Sequence, residues 1–450
     1  MSWSIIPGGS TRPARILVPI AGAMLALGTG DPLAAQAARV QPASSSTAVT
    51  VHPTAVRLAH ATYRAIHEHP ELGKQEVETQ RLLRAALERI GYTQFVPSEL
   101  APTAVITVLE TGRPGPTIAL RAEMDARRSH EPETHDPRSR VAGVMHNCGH
   151  DAHAAILLGA ADALFRQRER LTGRIVFVFQ PAEETRGGAD DIVNEGILER
   201  LGVQAIFAQH AVARMPVGTV SASPGPTMAG SNSFTITVTG GQSHAAQPFR
   251  GGDVPVAAAR IAAAVAELPA RRLDILGRPA VISVAYLQAG TADQVNVLPD
   301  SAVIRGTIRA FEDVEASGPA GEPSIAALVR QQADGMAAAL GVAAHVTVVK
   351  GSPPTVNDPA LFDAVVGRLR TTWPGTVDTS PYRGMFSEDF AFYTAKVPSL
   401  YFGLGISKDG LGDVDVHQPG FTIHPDALET GIRLLVSVAA VAGLAAAPPA

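Results

Sequence analysis

The 450 residues are 46% hydrophobic and 18% charged, which excludes a disordered or fibrous chain and points to two domains, since one core rarely grows so large. The formal net charge is −5 with no basic block, so the electrostatic footprint of a nucleic-acid-binding protein is absent. The single cysteine, Cys148, excludes an intrachain disulfide.

In chain order, Arg12 and Arg15 precede an apolar run from Ile16 to Leu27, and small residues follow at Ala34-Ala35-Gln36-Ala37. This is the layout of a secretory leader, so residues 1–37 are expected to be removed and the protein exported, to the periplasm or beyond. The alternative is an uncleaved anchor, for which the apolar run is short. A polar linker follows at 38–53. Helices are expected at Ala55–Arg64 and Val77–Ile90, strands at Thr103–Leu109 and Pro116–Ala122, a helix at Ala152–Gln167 and a strand at Arg174–Gln180. Alternating strands and helices predict an α/β fold whose mostly parallel sheet carries helices on both faces.

Near residue 228 the rhythm changes. A strand at Ser233–Val238, a helix at Pro255–Leu268, strands at Ala280–Leu287 and Ala302–Ala310, and a helix at Ser324–Leu340 describe a small α+β unit. A further strand near His345–Val349 belongs to the same pattern. The expected division is therefore a catalytic domain in two parts, 54–227 and 343–450, interrupted by an inserted domain at 228–342. The second part resumes with a helix at Pro359–Leu369 and a strand at Ser399–Leu404. The Ala-rich tail from Leu434 reads as a packed terminal helix, leaving no stable membrane anchor once the leader is gone.

Residues suited to metal chemistry gather where strands are expected to end, the place at which open α/β sheets bind ligands. They are Cys148 and His150 in His146-Asn147-Cys148-Gly149-His150-Asp151, the pair Glu183-Glu184, His210, and His417. Taken singly each has an ordinary reading: a buried thiol, a structural histidine, a solvated carboxylate pair. Together they supply the donors that hold zinc and related metals. Of two adjacent glutamates, one can ligate while the other stays free to move a proton, the division that metal-assisted hydrolysis requires. Asp151 is a candidate to orient a metal-bound histidine. His153, one turn beyond His150, is either such a partner or a packing residue, and His67 and His69 are expected to cap and pack.

Further stretches complete an ordered set: His67–Gly73, Leu120–Ala126, Met145–His153, Phe179–Glu184, Ser243–Pro248, Asn296–Asp300 and Ser387–Phe390. In this order, from about residue 55 to the end, the chain resembles the amidohydrolase branch of the M20 metallopeptidases. That branch includes hippurate hydrolases, N-acyl-amino-acid deacylases and auxin-conjugate hydrolases. The resemblance implies two divalent metal ions per subunit, zinc or manganese, with Cys148, His150, Glu184, His210 and His417 at ligand positions and Glu183 as general base. It further implies that His244 stabilises the transition state, often across a subunit boundary, that Asn296 and Arg309 handle substrate, and that the protein is a homodimer joined through the inserted domain. Three departures concern the cleft: Glu123 stands where the family usually has Asp, Arg127-Arg128 where it has Leu-Pro, and Phe249 where it has His.

The expected function is hydrolysis of the amide bond of N-acyl amino acids or related small conjugates. Two readings stand beside it, a dipeptidase or carboxypeptidase on the same scaffold and a non-catalytic metal-containing binding protein. Arg309, in Gly306-Thr307-Ile308-Arg309, is read either as a surface arginine or as the clamp for a substrate carboxylate.

Overall fold

A computed structural model describes residues 50–185 and 187–445. The expected leader and most of the linker lie outside that range. The larger sheet has seven strands, in the order Val105–Glu110, Arg174–Gln180, Thr117–Glu123, Ala205–Pro216, Ser399–Ser407, Thr219–Ser221 and Thr376–Asp378. The four strands from Arg174–Gln180 to Ser399–Ser407 run parallel. Val105–Glu110 and Thr219–Ser221 flank them antiparallel. The expected mostly parallel α/β sheet is therefore present, with antiparallel additions at both margins.

Strand alternation explains why this sheet is buried on both faces. Ile118, Leu120, Ala122, Ile175, Phe177 and Phe179 join one core, whereas Ala119, Val176 and Val178 join a second on the opposite face. On the first face the helix His150–Arg166 is buried along most of its length between the sheet and the helices Pro53–Glu68 and Asp426–Ala445. The apolar tail thus packs as a helix. Among the described residues no helix is long and apolar enough to cross a membrane.

A four-stranded antiparallel sheet follows the order Ala280–Ala289, Ser301–Ala310, Gly230–Thr239 and Ala343–Lys350. The helices Val254–Arg272 and Ile325–Ala339 cover one face and close a separate core around Phe234, Ile236, Ile261, Ile304 and Val329. The small sheet extends beyond the boundary drawn at residue 342: Ala343–Lys350 hydrogen-bonds along Gly230–Thr239, with Lys350 opposite Asn232. The chain enters and leaves this unit through a two-stranded antiparallel pair, Gly225–Met228 and Thr355–Asn357.

Candidate active site

The parallel strands deliver the chemistry at their carboxyl ends. Thr117–Glu123 leads into Asp125, Arg174–Gln180 into Glu183-Glu184, and Ala205–Pro216 carries His210. Cys148 and His150 arrive on the turn before the long helix, where Gly149 takes a left-handed φ of 91° that L side chains rarely adopt. The Glu183-Glu184 turn needs a similar device. Ala182 has φ 56°, and the buried Glu76 carboxylate accepts its N–H at 2.9 Å. Burial foremost lifts Glu76 to about 7.

Asp125 fixes the centre. Its Oδ1 accepts the backbone N–H of Glu183 at 3.1 Å and its Oδ2 that of Glu184 at 3.0 Å. His150 Nδ1 lies 3.0 Å from the Asp125 carbonyl and 3.2 Å from its carboxylate, so the ring donates from Nδ1 and turns toward the site a buried Nε2 that makes no hydrogen bond. His210 is set the same way: Nδ1 donates to the Ala211 carbonyl at 2.9 Å and Nε2 lies 3.4 Å from Cys148 Sγ. The orienting role expected of Asp151 therefore falls to Asp125. Asp151 turns away and pairs with His67 at 2.6 Å, and Glu131 meets the other nitrogen of that ring at 2.8 Å. His67 is thus more than packing: burial opposes its charge, yet the two carboxylates lift it to about 10.

The donor set fits divalent metals. Cys148, Glu184 and His417 offer ligand atoms within 4.8 Å of one another, and Glu123, His150, His153 and His210 form a second such group. Glu184 Oε1 is buried without a hydrogen bond, 3.2 Å from His417 Nε2. Burial disfavours the Glu184 charge, but His417, His150 and Arg127 outweigh it and hold the carboxyl near 2. Burial pushes the Cys148 thiol up, so its thiolate requires a bound cation. All five expected ligands are thereby brought together.

Glu183 is different in kind. Its carboxyl is raised well above the usual range, by burial first and then by Glu388 and Asp389. A cleft of about 680 Å³ is lined by Glu183, Glu184, Cys148, His210 and His417, by Met228, Met385 and Phe386, and by Arg127 and Arg309. Arg309 reaches it from the small sheet and donates to Ser387 Oγ at 2.7 Å. Arg127, one of the departures, meets Glu184 Oε2 at 3.0 Å. His244 and Asn296 are exposed, adjoin each other where Ala245 N–H donates to the Asn296 carbonyl, and do not line the cleft.

Sequence reasoning quoted Arg121, Glu388 and Asp389 inside motifs without giving them a task. Arg121 is wholly buried, donating to Gln180 at 2.8 Å, Glu388 at 2.9 Å and Asp389 at 2.7 Å. Asp389 N–H in turn reaches Glu183 Oε1 at 3.4 Å. A charged residue inside an apolar strand run was the available signal.

Comparison with known proteins gives the same direction. Residues 119–440 match the model of peptidase family M20/M25/M40. The chain is 38% identical over 384 residues to the IAA-amino acid hydrolase ILR1-like 4 of Arabidopsis thaliana, covering 84% of this chain and 83% of that one. It is 34% identical over 378 residues to the N-acetylcysteine deacetylase of Bacillus subtilis (strain 168), covering 84% and 95%. The crystal structure of the Bacillus subtilis YXEP protein, described as a dinuclear metal-binding peptidase of the M20 family, superposes with a TM-score of 0.75. Identity there is 30%, with 88% of this chain and 100% of that one covered. With this cluster of candidate donors and these relatives, the chain belongs to peptidase family M20/M25/M40 and is a metal-dependent hydrolase.

Proposed function

We propose that the protein hydrolyses the amide bond of N-acyl amino acids or related small amide conjugates, using a pair of zinc or manganese ions. The observation that carries this reading is Glu183, a carboxyl raised by burial that lies beside the donor cluster and lines the same cleft as Arg309. Metal ions bound by Cys148, His150, Glu184, His210 and His417 would acidify water and polarise the amide carbonyl. Glu183 would accept a proton from the attacking water and pass it to the leaving nitrogen. Arg309, steadied by Ser387, receives the substrate carboxylate through parallel hydrogen bonds, and Met228, Met385 and Phe386 offer an apolar wall to the acyl group. The named activities of the plant and Bacillus relatives support an acyl–amino acid amide as the substrate class.

The test is a panel of N-acyl amino acids with their matched amides, assayed with and without a chelator. Hydrolysis of the acids, lost on chelation and releasing one amino acid plus one carboxylic acid, is the expected result. Equal turnover of acid and amide removes the Arg309 clamp, and release of two amino acids makes the protein a dipeptidase.

The same reading includes a homodimer joined through the small sheet and an exported mature chain. His244 stands outside its own cleft, and the outer strand Ala280–Ala289 exposes Val281, Tyr286 and Leu287, an edge suited to pairing. Mixing inactive Glu183→Gln and His244→Ala chains should restore activity, and failure after demonstrated subunit exchange removes the shared site. Export predicts that N-terminal sequencing of protein made in a bacterial host begins near residue 38, and an intact Met1 on the folded, soluble protein excludes cleavage.

A further inference from the structure

The metal cluster contains one carboxylate that the five-ligand set does not use. Glu123, at the end of the central strand Thr117–Glu123, is completely buried, and neither of its oxygens makes a hydrogen bond. Its Oε1 lies 4.0 Å from His150 Nε2 and 3.5 Å from His153 Nδ1. Its Oε2 lies 3.1 Å from Arg121 Nη1, within ion-pair range but without hydrogen-bond geometry. We infer that Glu123 is a sixth metal ligand, its Oε1 coordinating the divalent cation shared by His150, His210 and Cys148. This assignment rests on the dinuclear reading above and adds one oxygen donor to it.

Two independent observations carry it. The first is tautomeric. Although His153 belongs to the same donor group, its Nε2 accepts the Ala211 backbone N–H at 2.9 Å. In neutral His153 the proton therefore sits on Nδ1 and faces Glu123, so the ring steadies the carboxylate and offers no lone pair to a metal. With His153 removed, the donor group reduces to Glu123, His150 and His210, and both histidines have Nδ1 tied to a carbonyl and Nε2 turned inward.

The second observation is charge. Arg121 already has Glu388 at 2.9 Å and Asp389 at 2.7 Å, so one guanidinium faces two carboxylates before Glu123 is counted. A third buried carboxylate beside a single cation is costly unless further positive charge is near. The nearest suitable position is the space between Glu123, His150 and His210. An added anionic oxygen also hardens a site otherwise made of thiolate and imidazole, and so favours manganese more than Cys148, His150 and His210 alone would.

The experiment is metal titration of the full chain, needing no substrate. Wild type, Glu123→Gln and Glu123→Asp are stripped of metal, checked for folding by thermal melting, and titrated with cobalt(II) while visible absorption is recorded. Wild type should bind two ions. Glu123→Gln should keep one and bind the other at least about 10-fold more weakly, the size of effect seen when metal-site partners are lost. Glu123→Asp separates the two roles, because it keeps the charge beside Arg121 but withdraws the carboxylate by one methylene. A ligand role predicts weakened binding and an altered cobalt d–d spectrum in that variant. Two ions bound with wild-type affinity and spectrum by Glu123→Asp would make Glu123 a counter-ion of Arg121 and overturn the assignment, even if Glu123→Gln failed to fold. If wild type itself bound no metal, the whole centre would fall, an outcome distinct from failure at Glu123 alone.

Discussion

At the scale of single residues, the candidate metal donors stood out in the sequence and their supports did not. Cys, His and paired Glu are uncommon enough at expected strand ends to stand out. Asp125 and Glu76 act through partners at least 25 residues away in sequence, and Arg121, though its charge stands out in an apolar strand, finds Glu388 and Asp389 more than 260 residues on. Glu183 and Glu184 were distinguished by the family resemblance, and their environments now differ in sign, one raised and the other held near 2. Glu183→Gln should therefore lower kcat by about 100-fold or more with metal content unchanged, as measured by kinetics and elemental analysis on one sample. Loss of metal in that variant would exchange the roles of the two glutamates. His67 yields a stability prediction. Its folded pKa of about 10 exceeds its ordinary 6.5, so its charge stabilises the fold fully below 6.5 and ceases to as pH rises through about 10. His67→Gln should cost roughly 3–5 kcal/mol near neutrality, the usual range for breaking a buried pair. The gap from wild type, followed by denaturant unfolding, should narrow as the buffer is taken from about pH 7 to about pH 11. A gap that stays constant over that range would mean that His67 is not a cation in the fold.

At the scale of elements, hydrophobic period served wherever an element was long. Arg174–Gln180 and Val77–Ile90 have the expected limits, because an unbroken apolar strand and a helix closed by Gly91 leave little freedom. Thr219–Ser221 and Thr376–Asp378 are three residues each, too short for any period to register. The strand Ala343–Lys350 was read with the small unit's pattern but left outside a boundary drawn at 342, since alternation fixes which residues share a face and not which neighbour they pair with. Strand geometry also makes Gly306 indispensable. It pairs with Val284 beside a register shift, and a Cβ there would strike the Ser283 carbonyl and the Phe234 ring. Gly306→Ala should destabilise the protein by about 1–3 kcal/mol, read as a lower melting midpoint. An unchanged midpoint would show that the strands can separate to admit a methyl group. Arg309 lies three residues along the same strand, so KM for acidic substrates should rise with the lost stability.

At the scale of the whole molecule, the two-unit plan was legible because parallel and antiparallel sheets leave different sequence rhythms. What could not be read was the contact between the units. Arg309 belongs to one and Ser387 to the other, and their hydrogen bond spans 78 residues of sequence. His244 and Asn296, quoted in separate motifs, adjoin each other, yet away from the cleft of their own chain. A motif records residue type and order, whereas placement in a site depends on how separately packed units meet.

The doorway between the units has an engineering consequence. Met228 and Thr355 are direct partners in an antiparallel pair, so the outgoing and returning strands lie a single sheet spacing apart. Everything between them behaves topologically as a cassette, with a core of its own. Cutting out residues 229–354 and joining the ends with about four Gly/Ser residues should leave a folded remnant, because the seam needs so little span. That remnant keeps Cys148, His150, Glu184, His210 and His417 and lacks Arg309 and His244. It should titrate with metal as the full chain does and fail to turn over N-acyl amino acids. A remnant that cannot fold would show that the parallel sheet depends on its insert for stability as well as for substrate.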